Sequence, residues 1–163
     1  MSNLKVKTGV IHTPSFNRYM VSREFVLRHV RGLNLELLYA GVHMWYWYTD
    51  TDGVSKLLPN LLLKSDLYKK DIFTCINYSF KVWNEASSRF GLNTWIPVIG
   101  RIPGYTSRHA WNLILVGNKT GLHEEQFLYF EPNGGWEMGI VLEAAGQAFP
   151  IGEEGYQGEM AFL

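Results

Sequence analysis

Thr74-Cys-Ile-Asn-Tyr-Ser-Phe-Lys-Val-Trp-Asn-Glu-Ala-Ser-Ser-Arg-Phe-Gly91 is the most regular stretch of this chain. Ile76, Phe80, Trp83, Ala86 and Phe90 recur at a helical period, and Gly91 follows the last of them as a natural stop. Thr74 or Asp71 is a suitable cap for the start. The helix opens on Cys75, the single cysteine among 163 residues. A thiol at a helix start lies in the partial positive charge of unsatisfied backbone amides. With an imidazolium beside it, its pKa can fall from about 8.5 to well below neutral. A lone cysteine beside apolar residues is also an ordinary core residue, and spacing by itself leaves both readings open.

Working outward, the next pattern is a strand. In His109-Ala-Trp-Asn-Leu-Ile-Leu-Val116, His109, Trp111, Leu113 and Leu115 share one face and Ala110, Asn112, Ile114 and Val116 the other. Gly117 to Gln126 is a polar connection, and Phe127 to Glu131 reads as the return strand, broken by Pro132-Asn-Gly-Gly135. In an antiparallel hairpin the start of the first strand lies beside the end of the second. Pairing Leu113 with Phe127 sets His109 opposite Glu131; a shift by two brings Pro132 or Asn133 there instead. Either register places an acceptor near the imidazole, able to fix its tautomer and stabilise its charged form. Glu131 is the expected orienter, with Asn133 the alternative. A cysteine, a histidine and a carboxylate in this order are what nucleophilic attack on a carbonyl requires. The Cys75 amide could donate to an oxyanion; Asp71, Asn77 and Tyr68 are near in sequence, and none stands out as a second donor.

The remaining segments supply the frame. Residues 1 to 20 suggest an arm or a short edge strand. Ser22 to Tyr39 reads as one helix or two short ones, with Phe25, Leu27, Val30, Leu33, Leu37 and Leu38 as its stripe and a break at Gly32. Val42 to Tyr48 reads as a strand or an aromatic core segment. Thr49 to Gly53 is a turn and a helix start. The short helix after it carries Val54, Leu57, Leu58 and Leu61, with Pro59 as an obstacle. Ser65 to Lys70 is a polar linker. Trp95 to Ile99 is a short strand whose Pro97 suggests an edge. Gly100 to Arg108 is a loop, Trp136 to Val141 a further strand, and the chain from Gly146 a tail rich in glycine and glutamate. The sum is an α+β fold: one domain over 1–163, with a helical N-terminal part over about 1–65 and a catalytic-type core over about 66–145.

Composition excludes several classes. An apolar fraction of 47% and a charged fraction of 18% describe a chain that folds. Fifteen basic residues balance 15 acidic ones, so no electrostatic surplus favours nucleic acid or an acidic membrane. No apolar run approaches the roughly 20 residues of a bilayer span, and the first residues lack a signal core. One cysteine forms no internal disulfide, which suits a reducing compartment. The expected location is the cytoplasm or a virion-like particle. His12, His29, His43 and His123 have no partners at metal-ligand spacing, and no phosphate-binding glycine loop is present, so no metal or cofactor is expected. Asp50 and Asp52 flank a turn that reads as a helix cap rather than a calcium loop. Trp45, Tyr46, Trp47 and Tyr48 suit core packing, or a groove for carbohydrate or peptide.

The words Cys75-Ile-Asn-Tyr-Ser, His109-Ala-Trp-Asn112 and Phe130-Glu131-Pro132-Asn133 together resemble the transglutaminase-like, papain-like cysteine peptidase superfamily. Within it they are most similar to the group of the fungal agglutinin C-terminal peptidase domain and its phage and prokaryotic relatives. The resemblance covers about residues 66 to 137. It implies a papain-like fold, a helix carrying the cysteine packed on an antiparallel sheet carrying the histidine and glutamate. It implies Cys75 as nucleophile, His109 as base and Glu131 as orienter, with a peptide or protein as substrate. Trp111 and Asn112 are candidate substrate-binding residues. Relatives often carry acidic residues just before and two after the cysteine, where this chain has Thr74 and Asn77. Their Glu-Pro-Gln is Glu-Pro-Asn here, and no carboxylate cluster matches the agglutinin domain's calcium dependence. The expected activity is amide or peptide hydrolysis through a thioester, with transamidation open to the same intermediate. The alternative is a catalytically silent papain-like domain serving as a structural or binding component of a phage-like particle or assembly.

Overall fold

The computed structural model describes residues 14–39, 43–63, 74–133, 136–137, 140–141 and 146–163. The fold is α+β. Six strands form the main sheet in the order β11-β8-β5-β4-β12-β2. They are β2 (Glu36–Tyr39), β4 (Trp95–Arg101), β5 (His109–Ile114), β8 (Leu128–Phe130), β11 (Ala148–Pro150) and β12 (Gln157–Phe162). Neighbours are antiparallel except β12 and β2, which run parallel. Two-stranded ribbons pair β1 (Tyr19–Ser22) with β3 (Trp45–Tyr48), β6 (Gly117–Asn118) with β7 (Gly121–Leu122), and β9 (Trp136–Glu137) with β10 (Ile140–Val141). The helices are α1 (Arg23–Gly32), α2 (Thr51–Leu61) and α3 (Cys75–Phe90).

Each face of the sheet closes its own core. On one face α3 and α2 bury Tyr78, Val82, Ala86, Phe90, Val54, Leu57 and Leu61 against Trp95, Ile114, Val116 and Phe130. On the other, Val26 and Val30 of α1 join Trp111, Leu113, Leu115, Tyr129, Phe149 and Tyr156. The alternation along residues 109–116 therefore divides as expected: Trp111, Leu113 and Leu115 enter the second core, Ile114 and Val116 the first.

Several expectations need correction. Among the described residues of the N-terminal part, β1 and β3 fall where an edge strand and a strand were among the readings, whereas β2 replaces the end of an expected helix. α1 stops at Gly32, and Asn34 takes a left-handed φ of 57° that Asn tolerates, so Leu37 falls in β2 rather than on a helix stripe. The buried line of α3 is Cys75, Tyr78, Ser79, Val82, Ala86 and Phe90, while Ile76 is 45% exposed. Tyr78 and Ser79 carry polar atoms and so were missing from a stripe drawn through apolar residues alone. Pro97 belongs to an interior strand. β12 pairs with Arg101 to Val98 and goes no further, so Pro97 sits just past that ladder while its other side faces Asn112. The polar connection after β5 contains β6, β7 and a 3-10 turn at Glu124–Gln126, and the glycine-rich tail supplies two strands of the main sheet. Pro59 sits inside α2 as foreseen. The linker at 65–70 and the candidates Tyr68 and Asp71 lie outside the described residues.

Candidate active site

Cys75 is the first residue of α3. Asn77 Oδ1 accepts the Thr74 N–H at 2.9 Å, half of a capping box between these two residues. The Asn77 side-chain amide thus holds the helix start. Cys75 is free and buried, with 7% of its surface exposed.

β5 brings His109 in beside the end of β8. The register is Leu113 with Tyr129 and Asn112 with Phe130, two residues from the pairing expected with Phe127. A shift by two keeps every side chain on its face. Continued to the strand ends, it sets Trp111 opposite Glu131, and His109 reaches the carboxylate diagonally. His109 Nε2 donates to Glu131 Oε2 at 2.6 Å, both side chains wholly buried. A carboxylate only accepts, which assigns the ring hydrogen to Nε2. Glu131 receives two further donors: the Asn133 N–H at 3.0 Å on Oε1 and the Tyr156 hydroxyl at 3.2 Å on Oε2. Its backbone is fixed as well, its N–H donating to Gln147 O and its carbonyl accepting from Gly146 N–H. Asn133, the alternative orienter, therefore touches the site through its backbone N–H on Glu131.

Aromatic rings wall the imidazole. It lies over Trp111 with centroids 6.1 Å apart and meets the edges of Tyr156 and Tyr105 at 6.4 and 6.2 Å. Tyr105 comes from the β4–β5 loop and Tyr156 from the segment leading into β12. Neither was legible as a site residue, because Tyr156 is distant in sequence from the hairpin and the position of Tyr105 depends on the path of its loop. Trp111 is buried in the second core. Asn112 is buried too, its amide donating to Ser79 O at 3.0 Å and Trp95 O at 3.1 Å. Both candidate substrate contacts are thus interior side chains, and Asn112 ties β5 to α3 and β4.

The bond from Asn112 to Ser79 also sets the direction of the helix. Ser79 lies one turn inside α3. The chain leaves α3 at Gly91 and enters β4 at Trp95, which pairs with Ile114 at the far end of β5. α3 and β5 therefore run the same way, and Cys75 and His109 stand at the same end of the pair. Among the described residues no group of three or more His, Cys, Asp or Glu could hold a metal ion, and no helix is long and apolar enough to cross a membrane.

No family model matches the chain, and no curated protein matches it. A solved structure of Polyporus squamosus lectin, bound to the human-type influenza-binding epitope Neu5Aca2-6Galb1-4GlcNAc, aligns with a TM-score of 0.50 and 13% identity. The alignment covers 88% of this chain and 49% of the lectin chain, so the chain spans about half the length of that protein. At this identity the likeness concerns the fold alone.

Proposed function

We propose that this chain is a cysteine hydrolase of the papain-like, transglutaminase-like class, acting on an amide or peptide bond. The observation that carries the reading is the buried His109–Glu131 pair, with its carboxylate held by three donors at the end of the sheet where α3 begins at Cys75. The sequence words around these residues support it independently. His109 shares its face with Trp111, away from α3, so the thiol–imidazole contact this chemistry needs would have to be made round the end of β5.

With Nε2 donating to Glu131, Nδ1 is the nitrogen that exchanges a proton with the Cys75 thiol. The thiolate attacks the carbonyl carbon. The C–N bond of the tetrahedral adduct then breaks as Nδ1–H protonates the leaving amine. Water, deprotonated by His109, adds to the thioester; the C–S bond breaks and the thiol is restored with a carboxylate product. An amine in place of water gives transamidation. Glu131 stabilises the imidazolium in both halves without taking its proton.

A second reading has its own support. Complete burial of His109 and Glu131, with Cys75 nearly as hidden, also suits a papain-like domain without turnover, used as a structural or binding component of a particle or assembly. The pH profile of Cys75 alkylation by iodoacetamide separates the two. An activated thiol stays reactive below pH 7; a single step near about 8.5 describes an ordinary one and removes the hydrolase reading.

A further inference from the structure

We infer that Tyr156 is a positioning residue of this site, and that docking of the C-terminal strand is what sets the His109–Glu131 pair. The inference rests on the proposed triad for its functional meaning, but the coupling it describes is physical and can be tested apart from it. Tyr156 precedes β12, which lies between β4 and β2 in the main sheet. Its hydroxyl donates to Glu131 Oε2, the same oxygen that accepts from His109. Its ring is held edge-on by Trp111 at 4.9 Å and Phe149 at 5.0 Å, and meets the edge of His109. One side chain thus touches both the carboxylate and the imidazole, from a segment 25 residues beyond Glu131. A second donor on one carboxylate oxygen restricts where that oxygen sits and withdraws charge from it. It therefore sets both the direction of the His109 bond and the basicity of the acceptor.

Tyr156→Phe removes the hydroxyl and keeps the ring packing. Two readouts apply. The first is the His109 imidazole observed by nitrogen-15 NMR. In Tyr156→Phe its Nε2–H signal shifts and exchanges with water about tenfold faster, while 3-fluorotyrosine at position 156, a stronger donor of nearly the same shape, shifts it the opposite way. The second is the alkylation rate of Cys75. At pH 6 it falls about tenfold in Tyr156→Phe, as the lost placement of the carboxylate outweighs its gain in basicity, and at pH 9.5, where an ordinary thiol is about nine-tenths ionised, it equals the wild-type rate. His109 signals unchanged in both variants overturn the inference, whatever the stability of the variants. So does a wild-type rate at pH 6 in Tyr156→Phe when the wild-type thiol is itself activated. If the wild-type thiol shows only an ordinary step, the hydrolase reading falls, and the imidazole signals still decide the coupling.

Discussion

At the scale of the residue, the question is what a buried histidine and a buried carboxylate do for each other. Glu131 has no contact with solvent and three donors, so its charge is exchanged from water to protein hydrogen bonds. Glu131→Gln keeps the shape but presents an amide hydrogen or a neutral oxygen to donors arranged for a carboxylate. One of those donors is left badly matched, at a cost of about 1–3 kcal/mol. Urea denaturation should show a lower midpoint with an unchanged slope. A midpoint equal to wild type would mean that the pair contributes nothing net. This pair was legible in the sequence because hairpin geometry brings the two strand ends together in any register of the right parity. Tyr105 and Tyr156 were not, because their contacts with His109 depend on the path of two loops, and no period in the chain records that.

At the scale of the element, helix ends were the most legible features. Asp50 caps α2, accepting from Gly53 N–H at 2.9 Å and from Asn17 Nδ2 at 3.0 Å. Burial, the largest single influence, raises its pKa, but the hydrogen bonds from Asn17, Gly53 and Tyr19 together outweigh it and hold the carboxyl below its ordinary value. A carboxyl depressed in the folded state stabilises above its unfolded pKa of about 3.9, and that stability is lost as pH falls through the lower folded value. Asp50→Ala should therefore cost about 1 kcal/mol near neutrality. The gap from wild type should narrow as pH falls below about 4. Asp50→Asn keeps the cap on Gly53 N–H but turns an amide nitrogen toward the Asn17 and Tyr19 donors, so at pH 7 it should fall between wild type and Asp50→Ala. Thermal melts across pH 2.5 to 7 would expose the error if the Asp50→Ala gap kept its size in acid. Gly91 ends α3 with a left-handed φ of 67°, the function read from its place after the last periodic residue. Gly91→Ala should lower stability by about 1 kcal/mol through that backbone strain, with no change in Cys75 alkylation, since the other end of the helix carries the thiol. The interior of α3 was read less well. Periodicity of apolar residues gave a helix and its length, but burial also took in Tyr78 and Ser79, and the Ser79 hydroxyl donates to Ile76 O.

At the scale of the whole molecule, the sheet depends on a strand that composition disguised as a tail. Among the described residues β12 alone bridges β4 and β2, so the edge strand pairs with the rest of the sheet through Gln157–Phe162. Glycine and glutamate gave this segment the look of a tail, yet glycine is what its packing requires. At Gly158 an added Cβ would lie 2.7 Å from both Leu35 Cδ2 and the Tyr129 hydroxyl; at its β4 partner Gly100 one would lie 2.0 Å from Gln157 O and 2.8 Å from Trp111 Cη2. The Gln157 carbonyl is backbone and can give way only if β12 moves. Gly100→Ala should thus cost about 1–3 kcal/mol, and the loss should be local before it is global. In native-state hydrogen exchange, amides of β12 and β2 should lose protection while those of β5 and α3 keep theirs. The same displacement moves Tyr156, so the His109 Nε2–H should exchange faster in Gly100→Ala as it does in Tyr156→Phe. Uniform loss of protection over both cores would instead mean that β12 does not open as a unit, and would separate the order of the site from the docking of the C-terminal strand.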